Sequence, residues 1–317
     1  MRDNLADLAA RLRGEGLSVR ENADGAALTT FRTGGPVGLL VDAADREEML
    51  LALRMTAGTG APRRILGNGS NVLFGGGGFP GIVIRALPGE AELVRDEDGF
   101  GILGAFAGTL LSRTANLAME KGFAGMEALS GIPGSVGGAV YMNAGAYGRT
   151  VADVLLESLS FDGENTVWIP AGEHRFGYRE SIYKEEPERT VLYARFRLEP
   201  GDPAEIRRRM QEYALRRRTS QPLEFPSAGS VFKRPAGYFS GKLIEDAGLK
   251  GFRIGGAEVS PKHAGFIVNA GGATPEDVFR LIRAVQKRVY EKDGVRLEPE
   301  VELLGDFLCE EELPWNS

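Results

Sequence analysis

An uncharged stretch of 21 residues from Ala128 to Gly148 limits the folds open to this chain. Six glycines and a proline interrupt it, so it lacks the continuous apolar character of a membrane-spanning helix. A flexible Gly/Ser linker is also a poor description, because Ile132, Val136 and Val140 favour burial. Backbone with small residues at almost every position can lie flat against a planar ligand and hydrogen-bond to its edge. This stretch, the glycine tract, therefore predicts a buried loop in contact with a ligand.

Composition excludes several classes of protein. Glycine supplies 44 of the 317 residues, about twice its usual share, and its clustering excludes collagen. A net charge of −6 makes the chain a poor default binder of nucleic acid or of membrane surfaces. The single cysteine, Cys309, excludes an internal disulfide, and two histidines are too few for a Cys/His metal cluster, so no metal site is expected. The charged N-terminal residues lack the apolar core of a signal peptide, so we expect a cytoplasmic protein.

Helix and strand patterns are mixed in the first 90 residues. Leucines at helical spacing predict a helix over residues 3–13, and Asp45 is the expected N-cap of a second helix that ends near Gly58. Short apolar runs predict strands over residues 64–66 and 82–85.

From residue 91 the pattern changes to alternating apolar and polar residues. Asp-Gly pairs at 98–99 and 162–163 predict turns between paired strands, and another strand is predicted over 190–198. A helix over about 109–121 interrupts the strands. Residues 91–200 are therefore expected to form an α+β region with an antiparallel sheet.

Turn residues at 199–203 mark a boundary, beyond which the chain predicts an arginine-rich helix, a loop, short strands and one strong helix. Thr274 is the expected N-cap of the strong helix, Pro275 takes its first position and Asp277 completes a capping box. The last eight residues, 310–317, are expected to form a mobile tail.

Two arginine triplets, Arg207–Arg209 and Arg216–Arg218, resemble a nucleic-acid-binding helix. Residues 201–317, however, contain 18 Lys and Arg and 18 Asp and Glu, so this region is neutral overall. A solvated helix face is therefore the favoured interpretation. For His174, similarly, we expect an ordinary hydrogen-bonded imidazole.

Two literal motif matches fail on their context. Gly76-x-Gly78-x-x-Gly81 satisfies the dinucleotide fingerprint, but Pro80 lies inside it and a strand is predicted where a helix should start. The Gly-Lys pair at 241–242 lacks the first glycine of a phosphate-binding P-loop and the Ser or Thr that would hold magnesium. We therefore reject both motifs.

A second glycine-rich segment lies between two predicted short strands, with the sequence Gly67-Asn68-Gly69-Ser70-Asn71-Val72. Glycines two residues apart can turn successive backbone N–H groups inward and form an anion nest suited to a pyrophosphate. Spacing alone favours an ordinary surface turn, so both interpretations of this 67–72 loop stay open.

Three further segments carry polar side chains that can serve in catalysis, around Arg179, Ser230 and Glu300. In the third segment acidic and apolar residues alternate from Glu300 to Leu303, which predicts a strand with one apolar and one acidic face. No Ser-His-Asp order accompanies Ser230, so nucleophilic hydrolysis is not supported. By themselves these residues do not define a chemistry.

Taken together, seven segments are similar to those of the UDP-N-acetylenolpyruvoylglucosamine reductase family, the flavoenzymes of peptidoglycan precursor synthesis. The similarity extends from about Thr29 to Gly305. Any one segment is a weak signal, whereas seven in order over most of the chain are specific. The segments are TTFRTGGP, ILGNGSNVLF, GIPGSVGGAVYMNAGAYG, GYRESIYK, RRTSQPLEFPSAGSVFKRP, GKLIEDAGLKGFRIGGAEVSPKHAGFIVN and LEPEVELLG.

The resemblance implies an α+β protein in which a two-subdomain FAD-binding region of the vanillyl-alcohol oxidase type precedes a C-terminal α+β substrate domain. This organisation agrees with the changes of pattern near residues 90 and 200, so we expect residues 1–90 to form FAD-binding subdomain 1, 91–200 FAD-binding subdomain 2 and 201–317 the substrate-binding domain. Only 50 positions separate Arg179 from Ser230, which leaves no room for the tyrosine-bearing loop of the family's longer subtype. The chain therefore resembles the shorter subtype, and the residues that cover the UDP moiety stay open.

The resemblance also assigns roles to individual residues. The family's catalytic arginine, proton-donating serine and glutamate fall on Arg179, Ser230 and Glu300. Substrate contacts are implied for Tyr178, Lys242 and His263. Contacts to the flavin pyrophosphate or ring are implied for Gly67, Asn68, Gly69, Ser70, Asn71, Val72, Ile132, Gly134, Ser135, Gly137, Gly138, Asn143, Ala144 and Gly145.

The implied reaction reduces the enolpyruvyl ether of UDP-N-acetylglucosamine to UDP-N-acetylmuramate. NADPH, as co-substrate, would reduce a noncovalently bound FAD, and the reduced flavin would then deliver hydride to C3 of the enolpyruvyl group. A guanidinium such as Arg179 offers a planar fork to a carboxylate as charge develops, and Glu300 would orient or polarise the other side. Ser230 would protonate C2, which a weakly acidic hydroxyl achieves only in a dry, preorganised site. No nucleic-acid, membrane or obligate protein partner is expected.

Two alternative functions stay open at this point. If the protein is an FAD oxidase on the same fold, it should form peroxide with an alcohol donor, and the enolpyruvyl substrate should not stimulate NADPH consumption. A flavin-free nucleotide- or RNA-binding module predicts salt-dependent RNA binding through the arginine-rich helix.

Overall fold

The computed structural model describes residues 2–309, so the predicted C-terminal tail lies outside the described residues. The chain divides into two compact units, each made of segments that are distant in sequence. Unit 1 comprises the chain up to Glu21, Leu39–Asn68 and Ile82–Arg217, and unit 2 comprises Asn22–Gly38, Gly69–Gly81 and the chain from Arg218 onward. The division into three domains stays a prediction.

The opening third of the chain mixes helices and strands, as predicted. Asp45 caps the second helix, where its carboxylate accepts a hydrogen bond from the Glu48 N–H at 2.9 Å. Four of the strands form a sheet of order β1-β2-β5-β3, in which β3 and β5 are parallel. The elements are α1 (Arg2–Gly14), β1 (Ser18–Asp24), β2 (Pro36–Ala43), α2 (Arg46–Thr56), β3 (Arg63–Leu66), β4 (Val72–Phe74) and β5 (Phe79–Ala86).

The middle of the chain contains the predicted antiparallel sheet, with strand order β12-β11-β13-β7-β6. Its longest strand, β13, alternates buried and more exposed residues towards its end, as a strand with one covered face requires. The elements are β6 (Ala91–Arg95), β7 (Gly101–Phe106), α3 (Leu111–Glu120), β8 (Phe123–Ala124), α4 (Val136–Tyr141), β9 (Gly145–Ala146), β10 (Arg149–Thr150), β11 (Leu155–Phe161), β12 (Thr166–Pro170), α5 (Ile182–Glu185) and β13 (Thr190–Pro200).

The glycine tract differs from the predicted loop because it contains the short helix α4. Ser135 is the N-cap of this helix, and its hydroxyl accepts a hydrogen bond from the Gly138 N–H at 3.3 Å. Gly137 allows the helix to pack closely, since a Cβ at this position would lie 2.9 Å from the Cβ of Ala107. Pairs of glycines mask a helix in the sequence because glycine disfavours helical backbone.

The C-terminal part carries a sheet of order β14-β17-β16-β15 and the strong helix predicted for this region. Thr274, Pro275 and Asp277 form the predicted capping box with proline in the first turn, and Gly294 ends the helix in a left-handed conformation. Strand β18 pairs with β4 in parallel. The elements are α6 (Pro203–Ser220), β14 (Ser227–Ser230), α7 (Ser240–Asp246), β15 (Arg253–Ile254), β16 (Ala257–Val259), β17 (Phe266–Asn269), α8 (Pro275–Asp293) and β18 (Glu302–Leu304).

Each unit has its own hydrophobic core. In unit 1, apolar residues of α1, α2, α3 and α4 pack with those of the two larger sheets. In unit 2, one face of α8 packs with β16, β17 and the segment before β18. Among residues 2–309, none of the helices is both long enough and apolar enough to cross a membrane.

Candidate active site

Within unit 1, the start of the 67–72 loop contacts the glycine tract. The Asn68 side-chain amide donates to the Pro133 carbonyl oxygen at 2.6 Å. Gly67 leaves room for this contact, because a Cβ built on it would lie 2.0 Å from the Ser135 hydroxyl oxygen. Two glycine-rich segments that are far apart in sequence are therefore adjacent in the fold.

One side of the glycine tract is buried and the other is open. Ser135, Val136 and Ala139 are buried, whereas Gly138 is exposed. A Cβ built on Gly138 would meet only the Ser135 hydroxyl within 4 Å, at 3.5 Å. Packing within the protein therefore does not require glycine at position 138, and the backbone there is open. Gly134 and Ile132 are half-buried beside it, and Ile132 packs against the core of unit 1.

The end of the tract is tied to the segment that carries Arg179. Asn143 has a left-handed backbone, with φ of 41°, and its side-chain amide donates to the Gly177 carbonyl at 3.0 Å. The Asn143 side-chain oxygen accepts a hydrogen bond from the Ala152 N–H at 3.0 Å. Ala144 and Gly145 follow, and a Cβ on Gly145 would approach the Arg149 carbonyl oxygen to 2.6 Å. Asn143 therefore joins the tract to the segment that carries Arg179, and Gly145 allows β9 to pack closely on β10.

Arg179 lies half-buried in a short loop after β12. Its backbone is left-handed, with φ of 61°, a conformation that costs energy for any residue other than glycine. The guanidinium carbon lies 5.2 Å from the centroid of the exposed Tyr178 ring, within range of a cation–π contact. Gly177 and Glu180 exchange backbone hydrogen bonds around this pair, at 3.2 and 3.3 Å. The loop thus presents Tyr178 and Arg179 together.

Within unit 2, Ser230 and Glu300 lie on adjacent segments. The Glu300 N–H donates to the carbonyl oxygen of Val231, the residue after Ser230, at 2.7 Å. Asn71 of the 67–72 loop contacts the same segment: its side-chain amide donates to the Glu300 carbonyl at 2.9 Å, and its own carbonyl accepts from the Glu302 N–H at 2.9 Å. Asn71, Ser230 and Glu300 therefore form one cluster.

The predicted strand around Glu300 starts later than expected. Strand β18 begins at Glu302, and Glu300 precedes it. The reason is that the Glu300 N–H donates to the carbonyl of Val231, which directly follows β14. Pairing with β4 begins only at Glu302, which lies opposite Val72. The predicted alternation of faces therefore does not apply to Glu300, although Val301 is buried as expected.

The remaining residues of the 67–72 loop serve close packing. Gly69 has φ of 61°, and a Cβ there would lie 1.9 Å from the Leu28 carbonyl oxygen, so this position requires glycine. The Gly69 carbonyl accepts a hydrogen bond from the Thr30 N–H at 3.1 Å. Ser70 is half-buried, and Val72 is the first residue of β4. The loop is therefore more constrained than the surface turn that spacing alone favoured.

The side chains of His263 and Ser230 both lie close to Gly265. A Cβ on Gly265 would lie 3.0 Å from the Cε1 atom of His263 and 3.7 Å from the Ser230 hydroxyl oxygen. The Nδ1 atom of His263 accepts a hydrogen bond from the Gly265 N–H at 3.2 Å. Burial lowers the pKa of His263, so the ring is neutral at pH 7 and its Nε2 carries the proton. His263 therefore offers an uncharged hydrogen-bond donor.

Lys242 lies exposed on α7, and its ammonium pairs with the Asp246 carboxylate at 2.5 Å, one turn along the helix. This hydrogen bond raises the pKa of Lys242. A substrate contact by Lys242 would therefore compete with Asp246.

Sequence reasoning missed one contact of the glycine tract. Arg207–Arg209 are exposed as predicted, but Arg217 is half-buried, and its Cδ lies 3.3 Å from a Cβ built on Gly131. Burial lowers the pKa of Arg217. Tyr213, four residues earlier on α6, stacks on Tyr147 with 4.5 Å between ring centroids. The spacing of Tyr213 and Arg217 on one helix face is the signal that could have identified this contact.

Among residues 2–309, no group of three or more His, Cys, Asp or Glu side chains could hold a metal ion.

The chain is similar to known proteins over most of its length. Residues 37–168 match the FAD binding domain family, and residues 221–304 match the C-terminal domain of UDP-N-acetylenolpyruvoylglucosamine reductase. The curated UDP-N-acetylenolpyruvoylglucosamine reductase of Agathobacter rectalis is 46% identical over 290 residues, which covers 88% of this chain and 91% of that protein. The protein of the same name from Caldanaerobacter subterraneus subsp. tengcongensis is 46% identical over 279 residues, with the same coverage.

A solved structure is also similar. The crystal structure of UDP-N-acetylenolpyruvylglucosamine reductase from Thermus caldophilus gives a TM-score of 0.74 at 39% identity, covering 91% of this chain and 99% of that one.

These matches define an FAD-dependent oxidoreductase and confirm the predicted α+β fold with an FAD-binding region before a C-terminal substrate domain. The chain belongs to the UDP-N-acetylenolpyruvoylglucosamine reductase family. The predictions of FAD as cofactor and NADPH as reductant are confirmed with the family. The oxidase and RNA-binding alternatives find no support in these matches, and the roles of individual residues stay predictions.

Proposed function

We propose that this chain reduces the enolpyruvyl ether of UDP-N-acetylglucosamine to UDP-N-acetylmuramate, with Arg179, Ser230 and Glu300 as the catalytic residues. The observation that carries the proposal is the cluster in unit 2. The Glu300 N–H donates to the carbonyl of Val231, the residue after Ser230, and the Asn71 side-chain amide donates to the Glu300 carbonyl. These hydrogen bonds join the segments that carry Ser230 and Glu300, the proposed proton donor and carboxylate, to Asn71 of the 67–72 loop.

The glycine tract and the 67–72 loop hold the cofactor in this proposal. The open backbone around Gly138 would lie against the isoalloxazine ring, and the loop from Gly67 to Val72 would contact the pyrophosphate. When bound noncovalently at these residues, FAD would supply the hydride for C3 that it accepts from NADPH. Arg217, half-buried against Gly131, adds a fixed positive charge beside the tract.

Arg179 and Glu300 act on the enolpyruvyl group. Hydride addition at C3 leaves negative charge at C2 that spreads onto the adjacent carboxylate. The planar Arg179 guanidinium can bind this carboxylate through two parallel hydrogen bonds, which become stronger as the charge develops. Glu300 orients or polarises the opposite side of the substrate. Tyr178 and Lys242 contribute to substrate binding in this proposal. Tyr178 lies against Arg179, and Lys242 lies on α7.

Ser230 completes the reaction by donating its hydroxyl proton to C2. A serine hydroxyl is a weak acid, so the transfer requires a strongly basic carbon and a site from which water is excluded. Ser230 is half-buried, and the neutral ring of His263 lies beside it at Gly265. His263 can therefore donate a hydrogen bond to the substrate without adding a charge.

The experiment that tests the function is anaerobic mixing of the NADPH-reduced protein with the enolpyruvyl sugar nucleotide. We expect flavin reoxidation and formation of UDP-N-acetylmuramate in equal amounts. Reoxidation by oxygen alone, with peroxide formed from an alcohol donor, would support the oxidase alternative. A purified protein that binds no added FAD would refute the proposal.

Gly138→Val tests the place of the flavin ring. We expect the dissociation constant for FAD to rise at least about tenfold, because the added side chain occupies the open surface where the ring lies. Gly172→Val is the matched control, since Gly172 is an exposed glycine of unit 1 with nothing within 4 Å of an added Cβ. FAD titration and thermal unfolding of the apoproteins measure both effects. Equal FAD affinity in the two variants would contradict the assignment of the tract.

We further propose a cytoplasmic location, which suits a reaction that consumes NADPH and a nucleotide sugar, and no nucleic-acid or obligate protein partner. The acidic neighbours of the arginine-rich helix support the absence of a nucleic-acid role. The Arg208 guanidinium pairs with Glu205 at 2.7 Å, so part of the positive charge on α6 is neutralised by the same helix.

A further inference from the structure

Unit 1 contains a fully buried chain of polar side chains that the proposed mechanism does not use. Ser158 on β11, His174 after β12 and Tyr183 on α5 are 0%, 0% and 2% exposed. The Ser158 hydroxyl oxygen lies 2.8 Å from His174 Nε2 and 2.6 Å from the Tyr183 hydroxyl oxygen. His174 Nδ1 lies 2.9 Å from the Pro170 carbonyl oxygen. We call these three side chains the Ser158 network.

The backbone carbonyl of Pro170 sets the direction of each hydrogen bond. A carbonyl can only accept, so His174 Nδ1 carries the proton and donates to it. Burial lowers the pKa of His174, so the ring is neutral and Nε2 accepts from the Ser158 hydroxyl. Ser158 has then used its one proton and accepts from Tyr183. Burial raises the pKa of Tyr183, which keeps this phenol protonated. All three side chains are therefore hydrogen-bonded in one consistent arrangement.

The Ser158 network encloses the segment that carries Arg179. His174 and Tyr183 immediately flank residues 175–182, the Arg179 loop, and both bond to the single hydroxyl of Ser158. The Ile182 N–H also donates to the His174 carbonyl at 2.8 Å. The two ends of the Arg179 loop are therefore joined at its base by a side chain from a different strand.

The Arg179 loop needs such external support. Arg175 and Arg179 both have left-handed backbones, with φ of 50° and 61°, which residues other than glycine keep only when their surroundings hold them. Two other contacts assist: the Asn143 amide donates to the Gly177 carbonyl at 3.0 Å, and the Ser181 hydroxyl donates to the Tyr141 carbonyl at 2.7 Å. These contacts hold Gly177 and Ser181 within the loop, whereas the Ser158 network joins the two residues that flank it.

We propose that Ser158, His174 and Tyr183 are positioning residues for Arg179, and that they act by closing the base of the Arg179 loop. The proposal rests on the role given to Arg179 in the proposed function. Arg179 acts only when the enolpyruvyl carboxylate is bound, so a displaced Arg179 slows the second half-reaction and leaves the reduction of FAD by NADPH unchanged. A network that only stabilised unit 1 would not distinguish between the half-reactions.

Tyr183→Phe and Ser158→Ala test the proposal in the holoenzyme. Tyr183→Phe removes one hydroxyl at the end of the network, and Ser158→Ala removes the central one. Thr114→Val is the matched control, because Thr114 is also 0% exposed and its hydroxyl donates to the Leu111 carbonyl at 2.7 Å within α3. Thermal unfolding of the three variants shows whether the stability losses are comparable.

Two measurements are decisive. Hydrogen exchange of peptides covering residues 175–182 is expected to be at least about tenfold faster in Tyr183→Phe and Ser158→Ala than in Thr114→Val. Reoxidation of the reduced flavin by saturating enolpyruvyl substrate is expected to slow by roughly tenfold to a hundredfold, as a displacement of about 1 Å in a catalytic group can cause. Flavin reduction by NADPH should stay at the wild-type rate in all three variants.

The outcomes separate this proposal from the proposed function. Unchanged exchange over residues 175–182, or equal losses in both half-reactions, would overturn the positioning role. In an Arg179→Ala background, Tyr183→Phe should cause no further loss, because two changes that act through one group are not additive. Wild-type reoxidation by Arg179→Ala alone would refute the catalytic role of Arg179, and the positioning role with it, whatever the exchange data show for the loop.

Discussion

Replacing Ser230 by alanine is expected to slow reoxidation of the reduced flavin by the enolpyruvyl substrate about 10³-fold, which corresponds to about 4 kcal/mol of activation free energy. Reduction of the flavin by NADPH should change by less than about twofold. The reason is that the proposed role of Ser230 is to protonate C2, a step that occurs only after hydride has reached C3. Anaerobic stopped-flow measurements of flavin absorbance, made separately for each half-reaction, check both rates.

Ser227→Ala is the control for this substitution. Ser227 lies on the same strand, β14, and its backbone carbonyl accepts a hydrogen bond from the Thr30 hydroxyl at 2.6 Å, which alanine retains. We expect both half-reactions of Ser227→Ala to match those of the wild type. An equal loss of both rates in Ser230→Ala would show that the serine supports the structure of the site and not the proton transfer.

Arg179→Lys is expected to slow the same half-reaction about 10²-fold at saturating substrate, or about 2.7 kcal/mol. Lysine keeps the positive charge but offers a point charge where the guanidinium offers a planar fork, so the carboxylate loses one of its two parallel hydrogen bonds as negative charge develops. The rate of flavin reoxidation and its dependence on substrate concentration are the quantities to measure.

Arg175→Lys provides the matched comparison on the same loop. Arg175 is exposed, has a left-handed backbone like Arg179, and pairs with Glu185 at 2.6 Å. This surface pair is expected to contribute little, so Arg175→Lys should react like the wild type. If Arg179→Lys raised only the substrate concentration needed for half-saturation, the guanidinium would bind the ground state and the transition state equally, which would contradict a selective role in the transition state.

Much of the secondary structure was predictable because its signals are local. The N-cap at Asp45 and the capping box of Thr274 and Asp277 depend on residues three positions apart, and both form as predicted. The Asp-Gly turns and alternating residues of the middle region correctly predicted an antiparallel sheet. The family, the cofactor and the fold class also followed from the order of short segments along the chain.

Other features were not predictable from local patterns. Helix α4 was missed because its glycines oppose helical propensity, and the Ser135 cap and close packing on Ala107 outweigh that preference. The sequence predicts a solvated helix face for Arg217, whereas Tyr213 and Arg217 both contact the glycine tract. It predicts a strand that includes Glu300, whereas the Glu300 N–H donates to the Val231 carbonyl and the strand begins at Glu302.

The class of protein, the two glycine-rich segments and the residue types available for catalysis were evident from the sequence. Folding brings Asn68 to Pro133, Asn71 to Glu300, and Ser158 to both ends of the Arg179 loop. The first two contacts join residues that are 65 and 229 positions apart. Periodicity, caps and turns report on neighbours within a few residues, whereas such distant contacts depend on how whole sheets and helices pack. The surroundings of Arg179, Ser230 and Glu300 therefore depend on the packing of helices and sheets and could not be derived from local sequence patterns.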